Sequence, residues 1–208
     1  MKVIEATRFG GPEVLTGGTA PDPVPGPGQV VVKVAAADVL FFDAMVRYGL
    51  ATEFVPVRPP YVPGNGVAGQ VSSAGEGVDR SWIGRRVVAH TGEHGGSGGY
   101  AEQALVSLDA LVAVPRELGL REAAALMHDG ATALGLAEST GIHPADGVLV
   151  MGAGGGLGIL LVQLAHAAGA HVIGAARGKR KRPYMGAVSL GARTRSSGLV
   201  LCETGSTW

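Results

Sequence analysis

The sequence predicts a two-part α/β protein: a β-rich N-terminal half, then the opening strand, helix and strand of a doubly wound parallel sheet. Three observations carry this prediction. Short apolar runs alternate with turn clusters through residues 1–115. A helical pattern occupies much of 116–145. Within 146–192 an apolar strand, a glycine turn, an amphipathic helix and a second strand follow one another in under thirty residues. Residues 193–208 continue none of these patterns.

The second half is the more informative. Val148, Leu149, Val150 and Met151 read as a short buried strand, and five glycines crowd into Gly152 to Gly158. Leu157, Leu160, Leu161, Leu164 and Ala168 then recur at helical spacing, Gly169 stops the pattern, and Val172 and Ile173 begin the next strand. The helix start of such a βαβ unit offers free N–H groups and a positive dipole end to an anion, here the pyrophosphate of a dinucleotide. The full G-x-G-x-x-G spelling is not met. Its nearest fit sets Ala153 at the tight turn, Gly155 where backbone approaches phosphate, and Gly158 where helix packs on strand. Ala153, Gly155, Gly156, Leu157 and Gly158 are therefore candidate cofactor contacts. A glycine-rich turn without a ligand is the competing reading.

In the first half, Val30 to Ala35, Val67 to Val71, Val87 to Ala89 and Leu111 to Val114 read as strands of a small barrel or sandwich. Pro25 and Pro27 cannot donate to a ladder, so the proline-rich stretch precedes the strand that starts near Gln29. From Phe41 to Gly49 the pattern turns helical for about two turns.

Composition excludes several classes. Seventeen basic residues balance seventeen acidic ones, and the concentrated basic run is Arg177 to Arg182, so the broad electrostatic footprint of a nucleic-acid binder is missing. No stretch reads as a membrane span and the first residues lack a signal peptide's apolar core, which gives a cytoplasmic expectation. Cys202 is the single cysteine, leaving neither an internal disulfide nor a cysteine-based zinc site. No G-x-S-x-G elbow supports a hydrolase. His90 and His94 sit among glycines, where a loop is expected in place of a metal-binding helix.

Several motifs carry a resemblance in their order. Phe9-Gly10-Gly11-Pro12-Glu13-Val14-Leu15, the Pro-Gly-Pro-Gly lead into VVVKVAAADV, PYVPGNGVAGQVSSAGEGV, GRRVVAHTG, GGYAEQALV, REAAALMHDGATALGLAE and the AGGGLG turn span about residues 1–192. Together they resemble the quinone oxidoreductase branch of the medium-chain dehydrogenases/reductases. The resemblance implies a GroES-like barrel on the substrate side and a Rossmann domain that binds NADPH. It also implies hydride transfer to a quinone, an enone or a similar carbonyl compound, and a homodimer in full-length relatives.

Zinc alcohol dehydrogenases of the same superfamily carry cysteine where this chain has Leu40 and histidine where it has Asn65, so no metal is expected. The zinc-free branch usually has asparagine at Leu40, which leucine cannot replace as a hydrogen-bond donor. Asp43 matches the family's acidic residue, and a helix N-terminal charge explains it equally. Tyr48 lies near the expected cleft edge, either touching substrate or packing. The resemblance sets Thr132 beside the cofactor, with His128 a second substrate-side candidate or a histidine bonded to backbone in a helical bend. No catalytic residue is assigned.

The second strand of the βαβ unit ends in Gly174-Ala175-Ala176 with nothing acidic to hold an adenosine ribose, and cations follow. Arg177 is a candidate for a 2′-phosphate, and Lys181 falls where the family carries a phosphate-contacting lysine, so the expected cofactor is NADP(H) over NAD; a solvated basic loop is the alternative. After Ala192, relatives continue with Asp-Ala-Val-Val, whereas this chain reads Arg193-Thr194-Arg195-Ser196-Ser197. GC-rich codons for that stretch, read two bases later, restore Asp-Ala-Val-Val, so a frameshift and a truncated sheet of two parallel strands are expected; sequencing the locus tests this. The expected consequence is impaired turnover, with a non-catalytic NADP-binding module as the alternative function.

Overall fold

A computed structural model of the chain describes residues 1–91, 98–177 and 199–203, with side chains for all but 177 and 199–203. The chain divides into two compact units, Met1–Met127 and His128–Trp208.

In the first unit, β1 (Lys2–Ala6) and β2 (Leu15–Thr19) form an antiparallel hairpin. The proline run leads into β3 (Gln29–Ala37), where a full ladder of donors begins. The helix α1 (Phe41–Arg47) follows and is closed by Gly49, whose φ of +79° is a left-handed value that glycine adopts freely. Then come β4 (Gly66–Ala74), β5 (Arg86–His90), β6 (Gln103–Ser107) and β7 (Leu111–Ala113).

The last four join β3 in one antiparallel sheet of order β6-β3-β4-β5-β7. Register shifts between Val31 and Val32 and between Val34 and Ala36 bend β3 against β4. Of the two architectures left open by strand spacing, the unit adopts the curled GroES-like one. Its core is built from β-branched residues that fill a pleated inner face: Val30, Val32, Val67, Val71, Val87 and Val106 are all buried. β1 also reaches beyond its hairpin. The Ala6 N–H donates to the Tyr61 carbonyl at 2.8 Å and the Ile4 N–H to the Tyr100 carbonyl at 2.8 Å.

Sequence spacing missed β1, β2 and β6, because Gly17 and Gly18 interrupt one and Gln103 to Ser107 alternates over only five residues. His90, expected in a loop, is the last residue of β5 and pairs with Gly66 of β4, so the ladder extends further than the glycines after it suggest. His94 lies outside the described residues.

The helix α2 (Leu120–Thr140) runs through the division between the units. It is continuous past Gly130 and Gly135, and His128 sits within it and not at a bend. In the first unit its Ala123 and Ala124 pack with Ala68 and Val88.

In the second unit, β8 (Gly147–Met151), α3 (Gly156–Ala167) and β9 (His171–Arg177) form the expected βαβ unit with β8 and β9 parallel. Gly169, with φ of +83°, ends the helix as anticipated. One face of the sheet is closed by α3 through Val150, Ala153, Val162, Ala165 and Val172. The buried stripe of α3 is Gly158, Val162 and Ala165, offset from the expected leucine stripe, because small residues let the helix axis come close to the strands. Leu149 and Met151 alternate to the opposite face and remain exposed.

The sheet differs from the two-stranded expectation. A third strand, β10 (Leu199–Glu203), pairs antiparallel with the outer side of β9, giving the order β10-β9-β8. It arises in the stretch after Ala192, where the apolar run Leu199-Val200-Leu201 includes one β-branched residue. Residues 193–197, where the frameshift was inferred, lie outside the described residues.

Candidate functional site

The turn between β8 and α3, together with the first turn of α3, holds five of the predicted contacts. Gly152 makes it with φ of +71°, so the left-handed residue is the one before Ala153. Ala153 is fully buried and its N–H donates to the Ala175 carbonyl at 3.0 Å, tying the turn to β9. The Gly155 N–H donates to the Gly152 carbonyl at 2.9 Å. Gly155 is then the N-cap of α3, with no side-chain cap and no acidic residue in the first turn. The N–H groups at the start of an uncapped helix, here those of Gly156, Leu157 and Gly158, are available to an anion.

The three glycines are constrained differently. A Cβ on Gly158 would lie 2.7 Å from the Ala153 Cα and strike the Gly152 carbonyl, so glycine is needed for helix and strand to touch. A Cβ on Gly155 would meet nothing nearer than the Gly152 oxygen at 3.4 Å. That open side is where a phosphate can approach backbone. A Cβ on Gly156 would run into the carboxylate of Asp129.

Asp129 and Thr132 are both on α2, three residues apart and so neighbours on the helix surface. Thr132 is exposed and His128 is half-buried. At the end of β9, Ala175 and Ala176 are buried and no acidic side chain follows them before Arg177. The side chain of Arg177 and all of Lys181 lie outside the described residues.

In the first unit, the substrate-side candidate Tyr48 is the C-cap residue of α1, a helix anchored by a buried carboxylate. Asp43 is 4% exposed. Its Oδ2 accepts the Leu40 N–H at 2.9 Å, capping the helix start, and the Tyr100 hydroxyl at 3.0 Å. Removal from water, and then the Asp43 charge, raise the Tyr100 hydroxyl well above the ordinary tyrosine range. The same two causes, in the same order, raise Tyr61, whose hydroxyl oxygen is buried with no hydrogen-bond partner among the described residues.

Arg47, on the next turn of α1, donates from Nε to the Gly10 carbonyl at 3.2 Å and lies with its guanidinium 5.3 Å from the ring centre of Tyr48. Tyr48 itself is half exposed, leaving its ring accessible. Leu40 is the half-buried N-cap residue, and Asn65 precedes β4 with its carbonyl accepting the Thr91 N–H at 3.0 Å. Among the described residues no three His, Cys, Asp or Glu side chains gather as a metal site would require. None of the described helices is long and apolar enough to cross a membrane.

The alcohol dehydrogenase GroES-like domain family matches residues 26–116. Quinone oxidoreductase from Sus scrofa is 38% identical over 178 residues, a match that covers 85% of this chain and 53% of the relative. The chain belongs to the quinone oxidoreductase branch of the medium-chain dehydrogenases/reductases. Solved structures agree with this placement. The quinone oxidoreductase from Coxiella burnetii superposes with a TM-score of 0.80 at 30% identity, covering 89% of this chain and 59% of that one. Escherichia coli quinone oxidoreductase, solved in complex with NADPH, gives 0.80 and 30%, covering 89% and 55%. The chain thus spans about half the length of the curated relatives it matches.

Within this family framework, sequence reasoning missed three members of the two clusters. Asp129 stands one helical turn before the Thr132 that the motif singled out, and helical spacing was signal enough to find it. Tyr61 and Tyr100 meet the surroundings of Asp43 only through tertiary folding, and no local pattern marks them.

Proposed function

We propose that this chain carries the NADPH-binding turn and the substrate-side barrel of a zinc-independent oxidoreductase acting on a quinone or enone. The observation that supports it best is the β8–α3 turn: an uncapped helix start with open space at Gly155, in a chain related to quinone oxidoreductases. NADPH supplies a hydride, and with one proton from solvent a quinone is reduced to its hydroquinone.

The chain's own residues would have these tasks. Gly156, Leu157 and Gly158 offer N–H donors to the pyrophosphate while Gly155 keeps Cβ atoms out of its way. Thr132 offers a hydroxyl to the carboxamide or ribose of the nicotinamide end. Arg177 and Lys181 would pair with the 2′-phosphate, which suits a strand end without an acidic residue. Tyr48 and His128 are the side chains proposed to line the substrate. Leu40 and Asn65 offer no thiolate or imidazole, so the carbonyl is polarised without a zinc ion.

Calorimetric titration of the chain with NADPH and with NADH tests the cofactor, and NADPH oxidation in the presence of a quinone tests the chemistry. Preferential binding of NADPH with turnover supports the proposal. Binding without turnover points instead to a non-catalytic NADP-binding module, and preference for NADH removes the roles given to Arg177 and Lys181.

A further inference from the structure

The first turn of α3 lacks any acidic residue of its own, yet a carboxylate is delivered to it from another helix. The Asp129 side chain of α2 lies against Gly156, its Cγ 3.2 Å from where a Cβ on that glycine would be. Gly156 is the N1 residue of α3, so the carboxylate stands beside the backbone donors offered to a pyrophosphate. A negative charge there interacts favourably with the helix dipole. Against a pyrophosphate the same charge is repulsive, and a few ångströms of partly buried medium screen it poorly.

We propose that Asp129 is a built-in competitor for the anion seat at the start of α3, and that it sets how tightly this chain holds a dinucleotide. The proposal rests on the reading of the β8–α3 turn as a cofactor site. It adds that Asp129 must be displaced or neutralised for the seat to fill. The absence of a Cβ at Gly156 is what allows the carboxylate so close.

The test compares the wild-type chain with Asp129→Asn, which keeps the shape and removes the charge, and Asp129→Ala, which removes both. Each is titrated calorimetrically with NADPH and with inorganic pyrophosphate at low and high salt. Both variants are expected to bind both ligands about fivefold to tenfold more tightly than wild type at low salt, the size of one close charge at a helix start. The margin narrows as salt rises, which a purely structural role would not produce. Equal or weaker binding by the variants overturns the proposal while leaving the cofactor reading intact. Tightening in the Asn variant alone also overturns it, since the gain would then come from the new amide. No binding by any of the three removes the cofactor reading together with the competitor.

Discussion

The Tyr100 hydroxyl donates to the Asp43 carboxylate at 3.0 Å, joining side chains 57 positions apart in the sequence. That bond fixes the start of α1 to the segment leading into β6, because the same Oδ2 caps the helix through the Leu40 N–H. α1 in turn presents Tyr48. A structural contact deep in the first unit therefore determines where Tyr48, the side chain proposed to face the substrate, is held.

Two tyrosine-to-phenylalanine changes in this cluster are expected to have opposite signs. Tyr100→Phe strips a donor from a buried carboxylate and should cost about 1–3 kcal/mol in urea unfolding of the barrel unit. Tyr61→Phe removes a buried hydroxyl that has no hydrogen-bond partner among the described residues, and should be neutral or stabilise by up to about 1 kcal/mol. If both variants lost the same stability, hydrogen bonding to Asp43 would not be what distinguishes them.

The raised tyrosines also predict a steep alkaline limb. In the unfolded chain tyrosine ionises near its ordinary value of 10.0, whereas folded Tyr100 and Tyr61 hold their protons to higher pH. The native state then binds more protons than the unfolded state, so stability is intact below pH 10 and falls as pH rises above it. Urea midpoints measured upward from pH 9 should decline beyond pH 10, and the decline should be shallower in Tyr100→Phe. A slope unchanged by that substitution would assign the limb to other groups.

Gly155→Ala and Gly158→Ala separate cofactor binding from packing. Gly155 has room for a methyl group and an ordinary extended φ of −94°, so Gly155→Ala should melt like wild type yet lose NADPH affinity by tenfold or more, about 1.4 kcal/mol. Gly158→Ala forces α3 off Gly152 and Ala153 and should destabilise the second unit by about 1–3 kcal/mol. Thermal melts beside NADPH titrations decide this. Wild-type affinity in a well-folded Gly155→Ala chain would show that nothing approaches the backbone there.

Legibility in the sequence followed the range of the interactions. The βαβ unit and the end of α1 were readable because their signals are local: a β-branched run, a cluster of glycines, a glycine stop. The buried stripe of α3 was misplaced since leucine spacing reports hydrophobicity, while Gly158, Val162 and Ala165 were selected for close approach. β10 was invisible because its pairing with β9 is antiparallel and joins a stretch unlike the family's own continuation. Around the β8–α3 turn, the residues proposed to meet a cofactor were singled out by motif. Asp129 was overlooked because an acidic side chain is the wrong charge for an anion seat, which is also why its presence there matters.

The bonds from β1 to the Tyr61 and Tyr100 carbonyls bear on how the chain is made. A ribosome delivers β1 before either partner, and those partners leave the exit tunnel only after Tyr61 and then Tyr100 have been added. Until then β1 has its hairpin with β2 and none of these later bonds. Closure of the first unit must wait on the docking of β1, so a pause in translation between β1 and β6 leaves β1 as an open edge, available to whatever nascent or neighbouring chain meets it.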